Sequence, residues 1–318
     1  MNTSPAGSVA VIDIGSNSIK ILVAARDAKN TLHAVHYRTI DARISAGISR
    51  TEPRLSEDGM ARGLEAISSL IADASMHGAG RIILVATSAV RDARNGADFI
   101  TRVHAATGHS IRLLSGNEEA NLIGRGLTCD PALADLRDFY VFDLGGGSLE
   151  CLAYRDRRIT QAVSLPLGCV RLTEKYIADP TASFTTAHAN AIAAHVRELI
   201  QQAGFSFSLP NTATAIGTGG TVTSVRTIQA ARSGRPLIET PTRLSVATLR
   251  SLLSELGELP LAARQHIAGL PPARADVFPT ALATVITLAE IGRFNAFENS
   301  LYNLRWGLVA EALDPAKA

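Results

Sequence analysis

The sequence predicts an α/β protein made of two similar halves, and three observations carry the prediction. Val11-Ile12-Asp13-Ile14-Gly15-Ser16-Asn17-Ser18-Ile19 and Val141-Phe142-Asp143-Leu144-Gly145-Gly146-Gly147-Ser148-Leu149 repeat each other 130 residues apart, with the aspartate, first glycine, last serine and following aliphatic residue in register. Each copy leads into two further short apolar runs bounded by Gly, Ser or Asn, which is the pattern of strands. Segments of helical periodicity then alternate with single apolar runs, as mixed sheets flanked by helices require.

The first half opens with strands expected over 9–14, 19–25 and 32–37, followed by a polar loop over 43–54 that contains Gly47 and Pro53. Ser56 is placed to cap a helix reaching Met76, with Leu64, Ile67, Leu70 and Ile71 on one face and His77-Gly78 as its stop. A buried strand is expected over 82–86, a loop or short helix over 87–95, a helix over 97–106, a strand over 111–114 and a helix over 118–127. The second half repeats the logic with strands over 139–143, 148–154 and 159–165, then a long helix over 185–203 and a strand over 213–217. Gly219-Gly220-Thr221 reads as a loop before a helix over 222–231, and Ser245 as the cap of a helix over 245–256. The last long helix is expected over 275–291, with an edge strand over 301–304 before a short terminal helix.

Composition excludes several classes. At 318 residues the chain accommodates two domains, and 46% hydrophobic with 19% charged residues is ordinary for a globular protein. A net charge of +2 does not argue for nucleic-acid binding, which shows as a clustered basic face. Cys129, Cys151 and Cys169 form no C-x-x-C pair, so neither a disulfide framework nor a zinc site is expected, and a reducing cytoplasm fits. The first seven residues lack the features of a signal peptide, and no apolar run is long enough to span a bilayer. The expected location is cytoplasmic, with no nucleic-acid or membrane partner; a homodimer remains open.

The repeat itself points to phosphate chemistry. Small residues after a strand let backbone N–H groups approach an anion closely, and a strand-end aspartate is a hard oxygen ligand beside it. Thus Asp13, Gly15, Ser16, Asn17 and Ser18 in one copy, and Gly145, Gly146, Gly147 and Ser148 in the other, are candidate phosphate-binding residues. A tight hairpin without a ligand is the competing reading of each loop alone. Asp143 and Glu150 bracket the second loop as candidate ligands of a magnesium ion, which takes few protein carboxylates and keeps several waters. Arg91, after a buried strand, is the candidate for a charge-assisted phosphate contact, with Arg94 its competitor. Lys20 reads as a snorkelling surface lysine, His33 and His36 as residues on opposite strand faces, and Arg155, Arg157 and Arg158 as a solvated hairpin turn. Glu118 and Glu119 open a helix, where acidic side chains favour the positive end of the dipole; periodicity does not decide which of them serves a site.

Five ordered motifs resemble the exopolyphosphatase / guanosine pentaphosphate phosphatase family: Asp13-Ile14-Gly15-Ser16-Asn17-Ser18, Ala86-Thr87-Ser88-Ala89-Val90-Arg91, Leu114-Ser115-Gly116-Asn117-Glu118-Glu119-Ala120, Asp143-Leu144-Gly145-Gly146-Gly147-Ser148-Leu149-Glu150 and Gly217-Thr218-Gly219-Gly220-Thr221. Pro166-Leu167-Gly168-Cys169-Val170-Arg171-Leu172-Thr173-Glu174 and Leu270-Pro271-Pro272-Ala273-Arg274-Ala275-Asp276 look like further signatures, so the likeness runs from about residue 9 to about residue 309. The resemblance implies duplicated ribonuclease-H-like domains of the actin-like, sugar-kinase-like kind with a cleft between them. It divides the chain into 1–125 and 126–318, with a hinge near 124–138 and room for the last helix to pack back on the first domain. Long family members continue into helical domains, and this chain is expected to be the short, two-domain form.

The resemblance also places the catalytic base at Glu119, with Asp143, Glu150 and Arg91 completing the catalytic set. Gly217, Gly219 and Gly220 are assigned to a third loop holding distal phosphates, helix–strand packing being the competing reading. The expected reaction is Mg-assisted hydrolysis of the terminal phosphoanhydride of inorganic polyphosphate. The alternative substrate is guanosine pentaphosphate. Outside that class stand a sugar kinase or chaperone-type ATPase, which the Ser-Gly-Asn-Glu-Glu-Ala motif disfavours, and a non-catalytic sensor of guanosine polyphosphates or polyphosphate, which the intact carboxylate set disfavours.

Overall fold

A computed structural model describes residues 7–48 and 52–314. Residues 1–6, within the N-terminal stretch read as lacking a signal peptide, and 49–51 of the expected polar loop lie outside those ranges. The chain forms two compact units, Met1–Ala134 with Tyr302–Ala318, and Asp135–Leu301. A single cut at residue 125 is not what the contacts give, because it would fall inside the last helix of the first stretch.

The first unit begins with β1 (Val9–Ile14), β2 (Ile19–Arg26) and β3 (Leu32–Ile40), continues through α1 (Glu57–Met76), β4 (Arg81–Ala86), α2 (Ser88–Asp92), α3 (Gly96–Thr107) and β5 (Ile111–Leu113), and reaches α4 (Gly116–Leu127). Its sheet has the order β3-β2-β1-β4-β5, antiparallel from β3 to β1 and parallel from β1 to β5. That is the ribonuclease-H-like order. β1 is central and reads as an almost unbroken apolar run, because helices and neighbouring strands bury both of its faces. Ser56 caps α1 by accepting from the Gly59 amide, and Ile67 and Leu70 go into the core as their spacing predicts, whereas Leu64 and Ile71 pack half-buried beside them.

The second unit carries β6 (Phe139–Leu144), β7 (Leu149–Arg155), β8 (Arg158–Leu165), α5 (Cys169–Tyr176), α6 (Thr186–Gln202), β9 (Thr214–Thr218), α7 (Gly219–Ser233), β10 (Arg243–Ser245), α8 (Val246–Glu258), α9 (Leu261–Arg264), α10 (Phe278–Gly292) and β11 (Ala296–Asn299). Read from β8, the order β8-β7-β6-β9-β11 reproduces the first sheet, with β10 added at the edge. β7 and β8 join through Asp156-Arg157, both at positive φ, a two-residue hairpin turn of the kind the sequence predicts. α11 (Leu304–Ala312) then returns to the first unit and packs on α4 and β1.

Four expectations are corrected. The strand expected at an edge over 301–304 lies earlier, at β11, and is internal, between β9 and β10; Asn303 accepts from the Arg305 amide and starts a helix where the strand was expected. The loop expected at Gly219-Gly220-Thr221 is the first turn of α7. The last long helix starts at Phe278 rather than 275, with Pro279 in its first turn and a tight 3₁₀ turn over Pro272–Arg274 before it. Pro166–Glu174, read only as a signature, contains the helix α5.

Candidate active site

In the first unit, Ile14, Ala86 and Leu113 are level across β1, β4 and β5, so the segments that follow these parallel strands leave the sheet at one edge. Carboxyl ends of parallel strands are where open α/β sheets bind ligands. The segments leaving here are the loop 15–18, the helix α2 with Arg91, and the helix α4 with Glu119.

The loop is fixed by its carbonyls. Gly15 N–H donates to Ser18 O, the Arg43 amide to Asn17 O, and the Ser45 amide and hydroxyl to Ser16 O. With three consecutive backbone carbonyls used inside the protein, the main-chain groups this turn has to offer a ligand are its amides, which suits an anion. Ser16, Asn17 and Ser18 are each only 4% exposed, and neither polar atom of the Asn17 side chain has a hydrogen-bond partner. A buried amide without partners is costly, so Asn17 is the group in this loop with most to gain from a ligand. The Ser16 hydroxyl meets that of Ser88 at 3.3 Å, tying the loop to α2.

Glu118 and Glu119 separate cleanly. Glu118 closes a capping box with Ser115: its carboxylate accepts from the Ser115 amide and hydroxyl, while its own amide donates back to the hydroxyl. Those bonds, with help from Arg112, hold the Glu118 carboxyl below the usual carboxylate range. Glu119 is 6% exposed and accepts a 3.0 Å hydrogen bond from Arg91, whose same nitrogen also donates to Leu114 O at 2.9 Å. Arg91 therefore reaches the carboxylate rather than standing clear for phosphate alone. Arg94 forms an exposed pair with Glu52, which separates it from this cluster.

In the second unit the same turn recurs, with Gly145 N–H donating to Ser148 O at 3.0 Å. Here the N-terminus of α5 takes up the carbonyls: Cys169 donates to Gly145 O, Val170 and Arg171 to Gly146 O, and the Arg171 side chain to Gly147 O. Gly168 is where the two chains touch; a Cβ there would lie 2.3 Å from Gly146 and Gly147 backbone atoms. The Pro166–Glu174 signature is thus the brace of the glycine loop.

Asp143 lies directly across from Glu150 in the β6–β7 pair and from Thr218 in the β6–β9 pair, and Glu150 in turn faces Ser164, which donates to it at 2.8 Å. Both carboxylates sit in one row on one face. Glu150 is 2% exposed. Like charges directly opposite destabilise a sheet, and a divalent cation reverses the sign of that interaction. No group of three or more His, Cys, Asp or Glu residues arranged to hold a metal occurs among the described residues. In the first copy the residue facing Asp13 is Lys20, so the lysine read as a surface cation stands opposite the strand-end carboxylate.

The third loop divides by role. Gly217 is a packing glycine, since a Cβ would strike Val222 at 2.8 Å, and its carbonyl accepts from Ser300 and Asn299. Gly219, at φ +82°, brings α7 against the Asp143 carboxylate, leaving no room for a side chain. Gly220 lies under the guanidinium of Arg274. Arg274 is the functional candidate that residue-level reasoning missed; its signal was its place in the Leu270–Asp276 signature, which carried no assigned role.

A model of the Ppx/GppA phosphatase family matches residues 22–316. Exopolyphosphatase 2 of Mycobacterium tuberculosis is 31% identical over 292 residues, covering 89% of this chain and 90% of that protein. A crystal structure of an exopolyphosphatase from Cytophaga hutchinsonii superposes with a TM-score of 0.87 at 22% identity, covering 96% of this chain and 98% of that one. The Aquifex aeolicus Ppx/GppA family member follows with a TM-score of 0.76 at 23% identity, covering 96% and 98%. The sequence motifs, the duplicated sheets and these likenesses converge on one assignment: the chain belongs to the Ppx/GppA phosphatase family.

Proposed function

We propose that the protein hydrolyses the terminal phosphoanhydride of inorganic polyphosphate, releasing orthophosphate, with Glu119 as the general base. The observation that carries the reading is a buried carboxylate at the start of α4, clamped by Arg91 beside Leu114 O. The guanidinium fixes the direction of the carboxylate, as a base that must meet a positioned water requires. Family membership and the name of the mycobacterial relative support the substrate class.

In this reading Glu119 orients a water molecule and takes its proton as the water oxygen bonds to the terminal phosphorus. The bond from that phosphorus to the bridging oxygen breaks, and the shortened chain leaves with the negative charge. In the first unit the amide donors of the loop 15–18 and the Asn17 side chain would hold phosphoryl oxygens; in the second unit the amide donors of the loop 145–148 would do so, and Arg274 adds a cation beside the N-terminus of α7. The facing carboxylates fit a magnesium ion, so Asp143 and Glu150 would hold it. When bound, it spreads the charge that develops on the phosphoryl oxygens.

The test is orthophosphate release from long-chain polyphosphate and guanosine pentaphosphate at matched end-group concentration, with Glu119→Gln alongside. Turnover is expected to fall by ~10²–10⁴ while polyphosphate binding persists. Unchanged turnover in a folded variant removes Glu119 as the base. Faster release from guanosine pentaphosphate assigns the nucleotide as substrate instead.

A further inference from the structure

A second concave surface lies wholly within the second unit, between the C-terminal half of α7, the segment 234–243 and the first turns of α8, with a volume of about 720 Å³. α7 carries Gly219 at one end and Arg232 and Ser233 at the other; at 1.5 Å per residue this groove is ~20 Å from the third loop. It is a different place from the phosphate loops.

Its chemistry is that of an anion site with an apolar floor. Arg232, Arg235 and Arg243 line it, and no carboxylate does among the described residues. Arg232 pairs with Glu255 and Arg243 with Glu298, each carboxylate lying outside the groove. Arg235 is exposed and has no carboxylate partner among the described residues. Beneath the segment 237–240 lies Arg226, 4% exposed, which donates to Leu237 O and twice to Thr240 O and likewise has no carboxylate partner. Two guanidinium charges are therefore uncompensated here, one of them in a poorly screened position. Pro241 and Ala247 supply the exposed apolar surface of the floor, backed by the buried Ile228 and Leu252.

We propose that this groove binds a nucleotide, with the base on the apolar floor and the phosphates on Arg232, Arg235 and Arg243. The volume is in the range of small-ligand sites, ~300–1,000 Å³, and the mix of an apolar surface with a few charged groups is typical of them. A bare phosphate chain would leave the floor unused. The proposal is independent of the hydrolytic reading, because it concerns binding at residues outside the phosphate loops.

The experiment is calorimetric titration of the intact protein with the non-hydrolysable GTP analogue GMPPNP and, separately, with inorganic tripolyphosphate, comparing wild type with Arg235→Glu and Arg243→Gln. Arg235 makes no ion pair among the described residues, so its variant is expected to fold. One class of GMPPNP sites should weaken about tenfold or more in each variant, as loss of a charged hydrogen bond implies, while tripolyphosphate binding stays unchanged. GMPPNP binding unchanged in both variants overturns the proposal. An equal loss for tripolyphosphate overturns the nucleotide assignment by showing that phosphate alone is recognised. Orthophosphate release from polyphosphate, followed in the same samples, reports separately on the catalytic reading.

Discussion

Asp13 and Asp143 hold equivalent places in two copies of one motif, yet the residues that face them differ in charge. Seven positions after each aspartate, the first copy has Lys20 and the second has Glu150, each the direct cross-strand neighbour of its aspartate. The first pair neutralises itself. The second is anionic, so on the proposed reading a cation would sit in the second unit rather than beside Asp13. Reversing Lys20 is then a direct test: Lys20→Glu should add a second class of manganese sites, counted by electron paramagnetic resonance of bound Mn²⁺ against the wild type. No added site in the folded variant would mean that facing carboxylates alone do not make an ion site in this fold. The phosphate loop gives a second test at this scale. Gly168→Ala forces a methyl group into backbone at 2.3 Å, so it should displace the 145–148 turn and lower phosphate release at least tenfold, while a proteolysis-resistant fold is retained. Wild-type turnover in that variant would show that the loop does not depend on its brace.

At the scale of elements, the catalytic candidate is placed by a helix pair. α4 carries Glu119, and α11 lies against it so closely that Gly126 faces the Asn303 carbonyl and Gly307 faces that of Leu122. Gly307→Ala would set a Cβ 1.9 Å from Leu122 O, a backbone atom that cannot rotate aside. The helices must separate, at a cost of ~1–3 kcal/mol or more, and α4 shifts with Glu119 on it. Calorimetry should register a lower unfolding temperature and steady-state assays a lower kcat; a variant with both unchanged would show that the pair is loosely coupled. This element also marks what could be read from sequence. The repeat, the first-turn acids and the apolar runs announce local structure, and nearly every strand and long helix lies where those signals put it. What α4 packs against is a non-local fact. Gly126 and Gly307 are 181 positions apart and carry no pattern that links them. The same limit applies to Glu119, whose partner Arg91 is 28 positions away, whereas Glu118 pairs with Ser115 only three positions off, in a Ser-x-x-Glu capping box that is a local sequence signal. Gly219 and Gly220 misled for a related reason: two glycines read as a loop, but one provides the positive φ that admits a helix beside Asp143, and the other makes room for Arg274.

At the scale of the whole molecule, each unit has its own buried core, one centred on β1 and β4 with α1 and α3, the other on β6 and β7 with α6, α8 and α10. The first unit is discontinuous in sequence, because its last helix arrives only after the second unit is complete. A chain ending at Leu301 would therefore keep every strand of both sheets and still lose Leu304, Trp306, Leu308 and Val309, all buried in the first unit. At ~1.5–3 kcal/mol for each buried side chain, the loss is roughly 6–12 kcal/mol, comparable to the ~5–15 kcal/mol that holds a whole domain together. The truncated chain should lose the cooperative unfolding of the first unit and retain that of the second, which contains no residue beyond Leu301. Hydrogen exchange read peptide by peptide distinguishes the units: protection should vanish across β1, β4 and α4 and persist across β6, β9 and α10. Protection lost throughout would mean that the second unit needs the first in order to fold. Protection kept throughout would mean that α11 is dispensable, and with it the idea that the chain's return to its starting unit is what seats Glu119.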